Sequence, residues 1–335
     1  MIKRFVACAA LAVSMSATFA GAAWAAPKDS PWGANYFPNV PLQTQDGKTV
    51  RFYDDLIKDK KVLINFTFVN CDDGCPLDTA NMLKVQKLLG SSVGKDIFMY
   101  SITLDPEHDK PKDLKEYAEL YGVGPGWLFL TGTRENIDAI RAKFGDTGKM
   151  TEHMNSLRIG DDPRGLWMHV PLNVEPKYLY AEIRNSFDPG WSSREKLRSI
   201  ADAPQTEVFG PGQLLFASRC ASCHTYGKTT VLGPDLLGIS DRRERRWLNQ
   251  YLAEPNKMRA AKDPIALELA ARNKVLMPQL NLTQEERNNL MLYMEAQDAL
   301  LPKPGAQQAV PAAAGGKKPA VAQDNSAQQR PANEK

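Results

Sequence analysis

Hydrophobic and polar positions follow different patterns in the two halves of the chain. In the first half, apolar runs typical of buried strands alternate with segments of helical spacing. "KVLINFTFV" precedes a helix that begins at Pro76, "IFMYSITL" precedes a helix from about Pro111 to Tyr121, and "WLFLTG" precedes a helix around residues 134–144. From about residue 205 to residue 300 the pattern is helical. Strands that alternate with helices predict an α/β domain, and the second half predicts an all-α domain.

Turn and cap signals mark the ends of several elements. "VPLQTQDGKTVRF" predicts a hairpin with Asp46 and Gly47 at its turn. Thr283 and Glu286 have the spacing of a capping box that begins the last helix. Proline and glycine cluster in "ADAPQTEVFGPG", which is where we place the domain boundary. The two predicted domains therefore cover residues 26–204 and 205–301.

The two ends of the chain differ from its body. Lys3 and Arg4 precede an alanine-rich apolar stretch that ends in the small-x-small site "AWA", which predicts a secretory signal peptide over residues 1–25. An uncleaved membrane anchor is the alternative, and the many alanines make the stretch weakly hydrophobic for that role. We expect an exported, periplasmic protein with membrane contact at most through an uncleaved N-terminus. Residues 302–335, rich in Ala, Pro, Gln and Gly, predict a disordered tail.

Composition and charge change this picture little. A chain of 335 residues is long enough for about two domains. Its 42 basic and 39 acidic residues become 40 and 39 when the predicted signal peptide, which holds Lys3 and Arg4 and no acidic residue, is removed. So near-neutral a charge gives no indication of nucleic-acid binding.

The sharpest chemical signal is "CASCH". In this motif Cys220 and Cys223 would form thioethers with a haem, and His224 would bind its iron. A zinc or disulfide pair is the alternative, but an exported chain is where c-type haems are attached. Met277 in "VLMPQL" is the predicted second axial ligand, with Met258 as the alternative. A methionine opposite a histidine raises the reduction potential of the iron, which suits an electron carrier.

Residues 207–300 resemble the small class I cytochrome c domains. The motifs that carry the resemblance are "CASCH" after a helix, then "GPDLLGI", then "MPQL" before a C-terminal helix. The resemblance implies a haem c cofactor, and it implies that the carbonyl of Pro234 accepts the ring hydrogen of His224. "DRRERRW", residues 241–247, predicts a solvated helix face, with the docking of an acidic redox partner as the alternative.

A second cysteine pair, Cys71 and Cys75, lies in "NCDDGCP". It follows a predicted buried strand and enters a helix at Pro76, where the helix N-terminus favours thiolates. Thioredoxin-like enzymes place a dithiol at the same junction with two intervening residues, whereas the three here leave room for a metal between the sulfurs. Soft thiolates select Cu(I) or Zn, and a histidine as third ligand lets such a site hold Cu(II). The two aspartates of the spacer oppose a strongly acidic catalytic thiol.

The segment over residues 36–185 resembles the Sco/SenC family of copper-handling proteins, which have a thioredoxin-like fold. The opening hairpin, "LINFTFVNCDDGCP", "SITLDPEHDKPKDLKEYAELYG" and "GPGWLFLTG" match the family in order. The resemblance implies that copper is bound by Cys71, Cys75 and a downstream histidine, here His153 in "HMNSLRIGDDPRG". His169 in "LWMHV" is the alternative third ligand. The predicted fold class is an α/β thioredoxin-like domain followed by an all-α cytochrome c domain.

Three functions remain open at this point. The favoured one is a periplasmic copper metallochaperone with a fused c-type haem, in which Cys71, Cys75 and His153 pass copper to the copper-acceptor subunit of cytochrome c oxidase or a related respiratory enzyme. The second is a thiol:disulfide oxidoreductase whose dithiol attacks an acceptor disulfide. The third is a plain periplasmic electron carrier that serves a redox partner protein. A haem transfers one electron, as Cu(II)/Cu(I) does, while dithiol chemistry needs two, so the fusion favours copper with electron transfer between haem and copper.

Overall fold

The computed structural model describes residues 31–71, 74–148, 155–191 and 210–301. The first three ranges form an α/β domain and the last forms an all-α domain, so the predicted order of fold classes is confirmed. The predicted signal peptide, the predicted tail and the predicted domain boundary lie outside the described residues. Within the described ranges, no helix has the length and apolar character that crossing a bilayer requires.

The α/β domain is built on one mixed sheet. Its strands run in the spatial order β2-β1-β5-β4-β3-β6-β7, in which β3, β4 and β5 are parallel to one another and the outer strands are antiparallel to their neighbours. The strands described are β1 (Pro41–Thr44), β2 (Thr49–Arg51), β3 (Lys61–Thr67), β4 (Ile97–Thr103), β5 (Trp127–Thr131), β6 (Ser156–Asp161) and β7 (Leu166–Pro171).

Helices cover both faces of this sheet, which is why its central strands are almost continuously apolar. One core cluster joins Leu63, Met99 and Phe129 of the sheet to the helices α1, α2 and α4. The other joins Ile64, Tyr100 and neighbouring strand residues to α3 and to a π-helical turn at Phe52–Ile57. The helices are α1 (Cys75–Leu89), α2 (Pro111–Tyr121), α3 (Arg134–Lys143) and α4 (Pro176–Phe187).

The all-α domain packs its first helix against its last. Gly212 makes this close crossing possible, since a Cβ there would lie 2.1 Å from the carbonyl oxygen of Asn289. The predicted capping box at Thr283 and Glu286 is confirmed. The helices are α5 (Pro211–Arg219), α6 (Ile239–Arg242), α7 (Arg245–Ala253), α8 (Pro255–Ala260), α9 (Pro264–Arg272) and α10 (Gln284–Leu300).

Candidate functional site

The dithiol lies at the carboxyl end of β3. Cys71 follows that strand and is partly exposed, and Cys75 is the first residue of α1 and is buried. The two thiols form a hydrogen bond, and no disulfide joins them. This hydrogen bond, together with burial, raises the pKa of the Cys75 thiol well above its usual range. The two sulfurs therefore lie within hydrogen-bond distance of each other, and the raised pKa keeps Cys75 in its thiol form until a metal displaces the proton.

A buried carboxylate ties the dithiol loop to the next loop of the same sheet edge. Asp109 accepts a hydrogen bond from the backbone N–H of Val69 at 3.1 Å and another from the hydroxyl of Thr103 at 2.5 Å. Burial raises the pKa of Asp109. Asp109 thus attaches the loop that leads to Cys71 to the turn between β4 and α2, and this attachment helps to fix the conformation of the loop.

The histidine implied as third copper ligand, His153, lies outside the described residues. Asn155, which follows it by two residues, is described and lies against the dithiol loop: a Cβ at Gly74 would be 2.1 Å from its amide nitrogen. Asn155 also accepts a backbone hydrogen bond from Leu172. Among the residues that the structure describes, no three His, Cys, Asp or Glu side chains are grouped as a metal site.

The other two histidines of the α/β domain occupy different surroundings. His169 is exposed on β7 opposite Arg158 of β6. Its neighbour Val170 packs into the cluster beneath α1, so His169 points to the other face of the sheet. His108 is exposed with Nδ1 2.9 Å from Asp105, and this hydrogen bond raises the pKa of the ring.

The motif "CASCH" lies on the wall of a cavity of about 400 Å³ in the all-α domain. His224 is held by its Nδ1, which donates to the carbonyl oxygen of Pro234 at 2.8 Å, as the resemblance implied. This leaves Nε2 as the nitrogen available to a metal. Burial lowers the pKa of His224, which favours the neutral ring that can bind iron.

The residues around this cavity fit a c-type haem. Cys220, Cys223 and Met277 line it together with His224. Gly233 lies so close to the histidine that a Cβ there would be 2.6 Å from Cε1 of the ring, so the chain can pass over the imidazole only without a side chain. Met258, the alternative axial ligand, packs in the core with Tyr251 and Ala266 and does not line the cavity.

Two residues of α1 also line the cavity, a contact that the sequence did not predict. They are Pro76 and Leu77, which follow Cys75 directly. From the other side, Leu232 and Val275 of the all-α domain pack against the core cluster beneath α1. The two candidate sites are therefore neighbours across a single helical turn.

Comparisons with known proteins agree with both resemblances. A family model described as SCO1/SenC matches residues 36–158, and one described as Cytochrome c matches residues 210–298. The SCO1 protein homolog of Bacillus subtilis is 42% identical over 92 residues, which are 27% of this chain and 46% of the relative, so the chain spans about half of that relative. The SCO2-like protein of Rickettsia felis is 34% identical over 146 residues, which are 40% of this chain and 70% of the relative.

Solved structures give matches over the same part of the chain. A SCO1/SenC family lipoprotein from Bacillus anthracis is 25% identical and covers 46% of this chain and 97% of its own, with a TM-score of 0.39. BsSco, described as a member of the Sco family of cytochrome c oxidase assembly proteins, is 29% identical. The match covers 46% of this chain and 95% of BsSco, also with a TM-score of 0.39.

Proposed function

The chain belongs to the SCO1/SenC family and carries a cytochrome c domain, and from that premise we propose that it is a copper-binding metallochaperone with a fused c-type haem. It assists the assembly of the copper site of cytochrome c oxidase or a related respiratory enzyme, with electron transfer between haem and copper. One observation carries the proposal: Cys75 of the dithiol is followed directly by Pro76 and Leu77, which line the cavity that holds Cys220, Cys223 and His224. Copper and haem would thus be bound on the two sides of one helical turn.

In this proposal copper is the cargo, held by Cys71, Cys75 and His153. Two adjacent sulfurs suit Cu(I), and the imidazole lets the same site hold Cu(II). His153 is two residues from Asn155, which lies against Gly74, and two residues of chain span at most about 7 Å. His169, on the opposite face of the sheet, is the less suitable third ligand.

Delivery proceeds by ligand exchange with cysteines of the acceptor subunit. Binding of copper releases the thiol protons, because the thiolate is the metal ligand. The high pKa of Cys75 returns a proton to that sulfur once copper leaves, which assists release. Cys71 is the more exposed sulfur, so an incoming ligand approaches from its side.

In the proposal Cys220 and Cys223 would attach a haem through thioethers, and His224 and Met277 would bind its iron. When bound, a haem with these ligands supplies a one-electron couple of raised potential. Pro234 fixes the orientation of the histidine ring through its carbonyl. The single electron matches the copper couple, which is why the fusion of the two domains supports a role in setting or reading the valence of the copper.

A second candidate is a thiol:disulfide oxidoreductase. The hydrogen-bonded thiols and the partial exposure of Cys71 favour it, since an acceptor disulfide could meet that sulfur. The raised pKa of Cys75 leaves Cys71 as the attacking sulfur, and the two aspartates of the spacer argue against the mechanism, because they oppose a strongly acidic thiol. The third candidate, a plain electron carrier, is supported by the haem cavity but assigns no role to the dithiol. All three are proposed to act in the periplasm, because the N-terminus resembles an export signal.

A Cu(I) titration of the reduced, haem-loaded full chain tests the proposal. We expect tight one-to-one binding that Cys71→Ser abolishes and His153→Ala weakens by about tenfold or more, since loss of even an outer partner of a metal ligand costs that much. His169→Ala is the matched control and should bind as the unmodified protein does. Absence of stoichiometric Cu(I) binding would refute the chaperone, and copper-independent disulfide reductase activity would then support the oxidoreductase.

A further inference from the structure

The first half of helix α1, residues 75–83, is buried apart from the partly exposed Pro76, although the helix lies on the outer face of a sheet. Its polar residues Asp78, Thr79 and Asn81 are 2%, 1% and 0% exposed. A helix that covers a sheet normally leaves one polar face in water. Thr79 has its partner on α2, where the hydroxyl of Tyr117 is 2.9 Å away. The residues that face away from the sheet must be covered by something outside the α/β domain.

The cytochrome domain supplies that cover through a buried hydrogen bond. The hydroxyl of Ser222 donates to Oδ1 of Asn81 at 2.5 Å, and Nδ2 of Asn81 donates to the carbonyl oxygen of Leu172 at 2.6 Å. Ser222 is 3% exposed. The side-chain amide of Asn81 accepts through its oxygen and donates through its nitrogen, so these two bonds fix its orientation. The bond joins residues 141 positions apart in sequence.

Each partner of this bond belongs to an element that carries one of the two candidate sites. Ser222 lies between Cys220 and Cys223, so it belongs to the loop that would carry the thioethers. Asn81 lies on the helix that begins at Cys75. A single buried bond therefore connects the element of the dithiol with the attachment loop of the haem.

The side chains already named on the two sides of this contact are otherwise apolar and do not specify an orientation. Leu232 and Val275 pack against the cluster beneath α1, and Pro76 and Leu77 face the cavity. Apolar burial is non-directional, so these contacts tolerate sliding or rotation. A buried hydrogen bond is directional, and breaking it leaves an unsatisfied buried group. Among these contacts, the Ser222–Asn81 bond is the one that can select a single arrangement.

We propose that Ser222 and Asn81 are positioning residues that fix the cytochrome domain on α1 in one orientation and so set the separation between the dithiol and the haem. Neither residue is a ligand in the proposed copper or haem site. The docking role stands on the contacts alone. Its consequence for electron transfer between the two centres rests on the proposed function.

Amide hydrogen exchange in the haem-loaded, copper-free full chain tests the docking role. Ser222→Ala should accelerate exchange in α1, residues 75–89, by about tenfold or more, the factor that corresponds to one buried acceptor left unsatisfied. Ser218→Ala is the matched control, since that hydroxyl donates to carbonyls of its own helix, Leu214 and Leu215. Unchanged exchange in Ser222→Ala, or equal acceleration in the control, would overturn the proposal.

A second variant tests whether faster exchange in Ser222→Ala arises from impaired haem attachment and not from loss of the bond to Asn81. Asn81→Ala leaves the attachment motif intact and should accelerate exchange at residues 220–224. Because Asn81 also bonds Leu172, its effect contains a contribution from that bond, which a double-mutant cycle removes. Effects of Ser222→Ala and Asn81→Ala that are clearly less than additive support the pairing, and additive effects refute it.

Electron transfer distinguishes positioning from simple stabilisation. When Cu(I) is added rapidly to the ferric, haem-loaded chain, one electron would pass from Cu(I) to Fe(III) and give Cu(II) and ferrous haem. Ser222→Ala should show this reduction more slowly than the unmodified protein, with the same Cu(I) affinity. A rate equal to that of the unmodified protein, despite faster exchange in α1, would refute the positioning role. If the unmodified chain does not bind copper, the proposed function fails. The exchange measurements still decide whether the Ser222–Asn81 bond docks the two domains.

Discussion

The carboxylate of Asp146 bridges two arginines in the interior of the α/β domain. It lies 3.2 Å from Nη2 of Arg141 and 3.3 Å from Nη2 of Arg158. Arg158 is fully buried against the ring of Phe66, and burial lowers its pKa to about 10 although Asp146 opposes the shift. A buried charge is tolerated only while it is paired. Asp146 is therefore the group that permits an arginine inside β6.

This network also anchors the chain on both sides of residues 149–154, the segment that contains His153. Arg141 donates to the carbonyl oxygen of Gly148 at 2.6 Å, and Arg158 donates to that of Ser156 at 2.9 Å. The ends of the segment are thus attached to one buried carboxylate. An ion pair that stabilises the domain thus also holds Gly148 and Ser156, which stand before and after this segment.

We predict that Asp146→Asn lowers the free energy of unfolding by about 3 kcal/mol, because it leaves a buried guanidinium without its counter-charge. Asp138→Asn is the matched control: Asp138 also pairs with Arg141, but its side chain is 49% exposed, and an exposed pair contributes about 0–1 kcal/mol. Denaturant unfolding of both variants measures the difference. Equal losses in the two variants would show that burial of the pair does not matter.

Helix α10 shows how a local sequence signal, the capping box, stabilises the N-terminal end of a helix. Thr283 accepts a hydrogen bond from the backbone N–H of Glu286, and the Glu286 carboxylate accepts one from the N–H of Thr283. This second bond is the main reason that the pKa of Glu286 is lowered. A group with a lowered pKa in the folded state stabilises the fold above its ordinary pKa, and the effect is lost as the pH falls through the folded value.

Thr283→Ala should therefore lower the free energy of unfolding by about 1 kcal/mol at neutral pH. The pH dependence belongs to the other half of the capping box: the deficit of Glu286→Gln should shrink as the pH falls below about 4.3, the ordinary pKa of glutamate, since the unmodified protein then loses its own capping carboxylate. Unfolding measured in denaturant from pH 3 to pH 7 gives both results. Glu285→Gln, next to the cap and exposed, should leave the pH dependence unchanged. A Glu286→Gln deficit that is constant with pH would contradict the role of the Glu286 carboxylate.

Local patterns predicted some elements well and others not at all. The predicted helix from Pro111 to Tyr121 has those ends in the structure, and α1 begins one residue before its predicted start at Pro76. In both, proline at the first turn and the apolar run before it are local signals. Helix α4 has Leu179, Ile183 and Phe187 at intervals of four, so it was predictable but not predicted.

The strands β6 and β7 gave no such signal. β6 contains a buried arginine and Gly160, whose missing Cβ leaves space for the ring of Trp167 on β7. Leu157, Arg158 and Ile159 alternate as on a strand with one exposed face, but Arg158 is buried as well, because its charge is paired inside the core. Asp146 lies outside the strand, so the compensation is visible only in the folded chain.

For the whole molecule, the motifs predicted the two candidate sites separately but not their proximity. Cys71, Cys75, Cys220, Cys223 and His224 stand in motifs whose spacing is local in sequence. The Asn81–Ser222 bond spans 141 positions. Asn81 belongs to no motif, and Ser222 occupies a variable position within "CASCH". The buried polar residues Asp78, Thr79 and Asn81 in the first half of α1 reflect this contact, and their burial can be explained only once the covering domain is known.

This proximity leads to a prediction about the intact protein. Cu(I) added to the ferric, haem-loaded chain should bind at the dithiol, and one electron should pass from copper to iron, giving Cu(II) and ferrous haem. Because both centres belong to one chain, the rate should not depend on protein concentration, whereas direct reduction of haem by free Cu(I) would scale with the concentration of copper. Stopped-flow absorbance of the haem follows the reaction.

Cys71→Ser should remove the concentration-independent phase, since it removes a copper ligand and leaves the haem cavity intact. His108→Ala should retain it, because that exposed histidine bonds Asp105 and belongs to neither site. A single phase whose rate rises in proportion to copper in every variant would mean that the two centres react independently. The shared helical turn at Pro76 and Leu77 would then join two sites that do not exchange electrons.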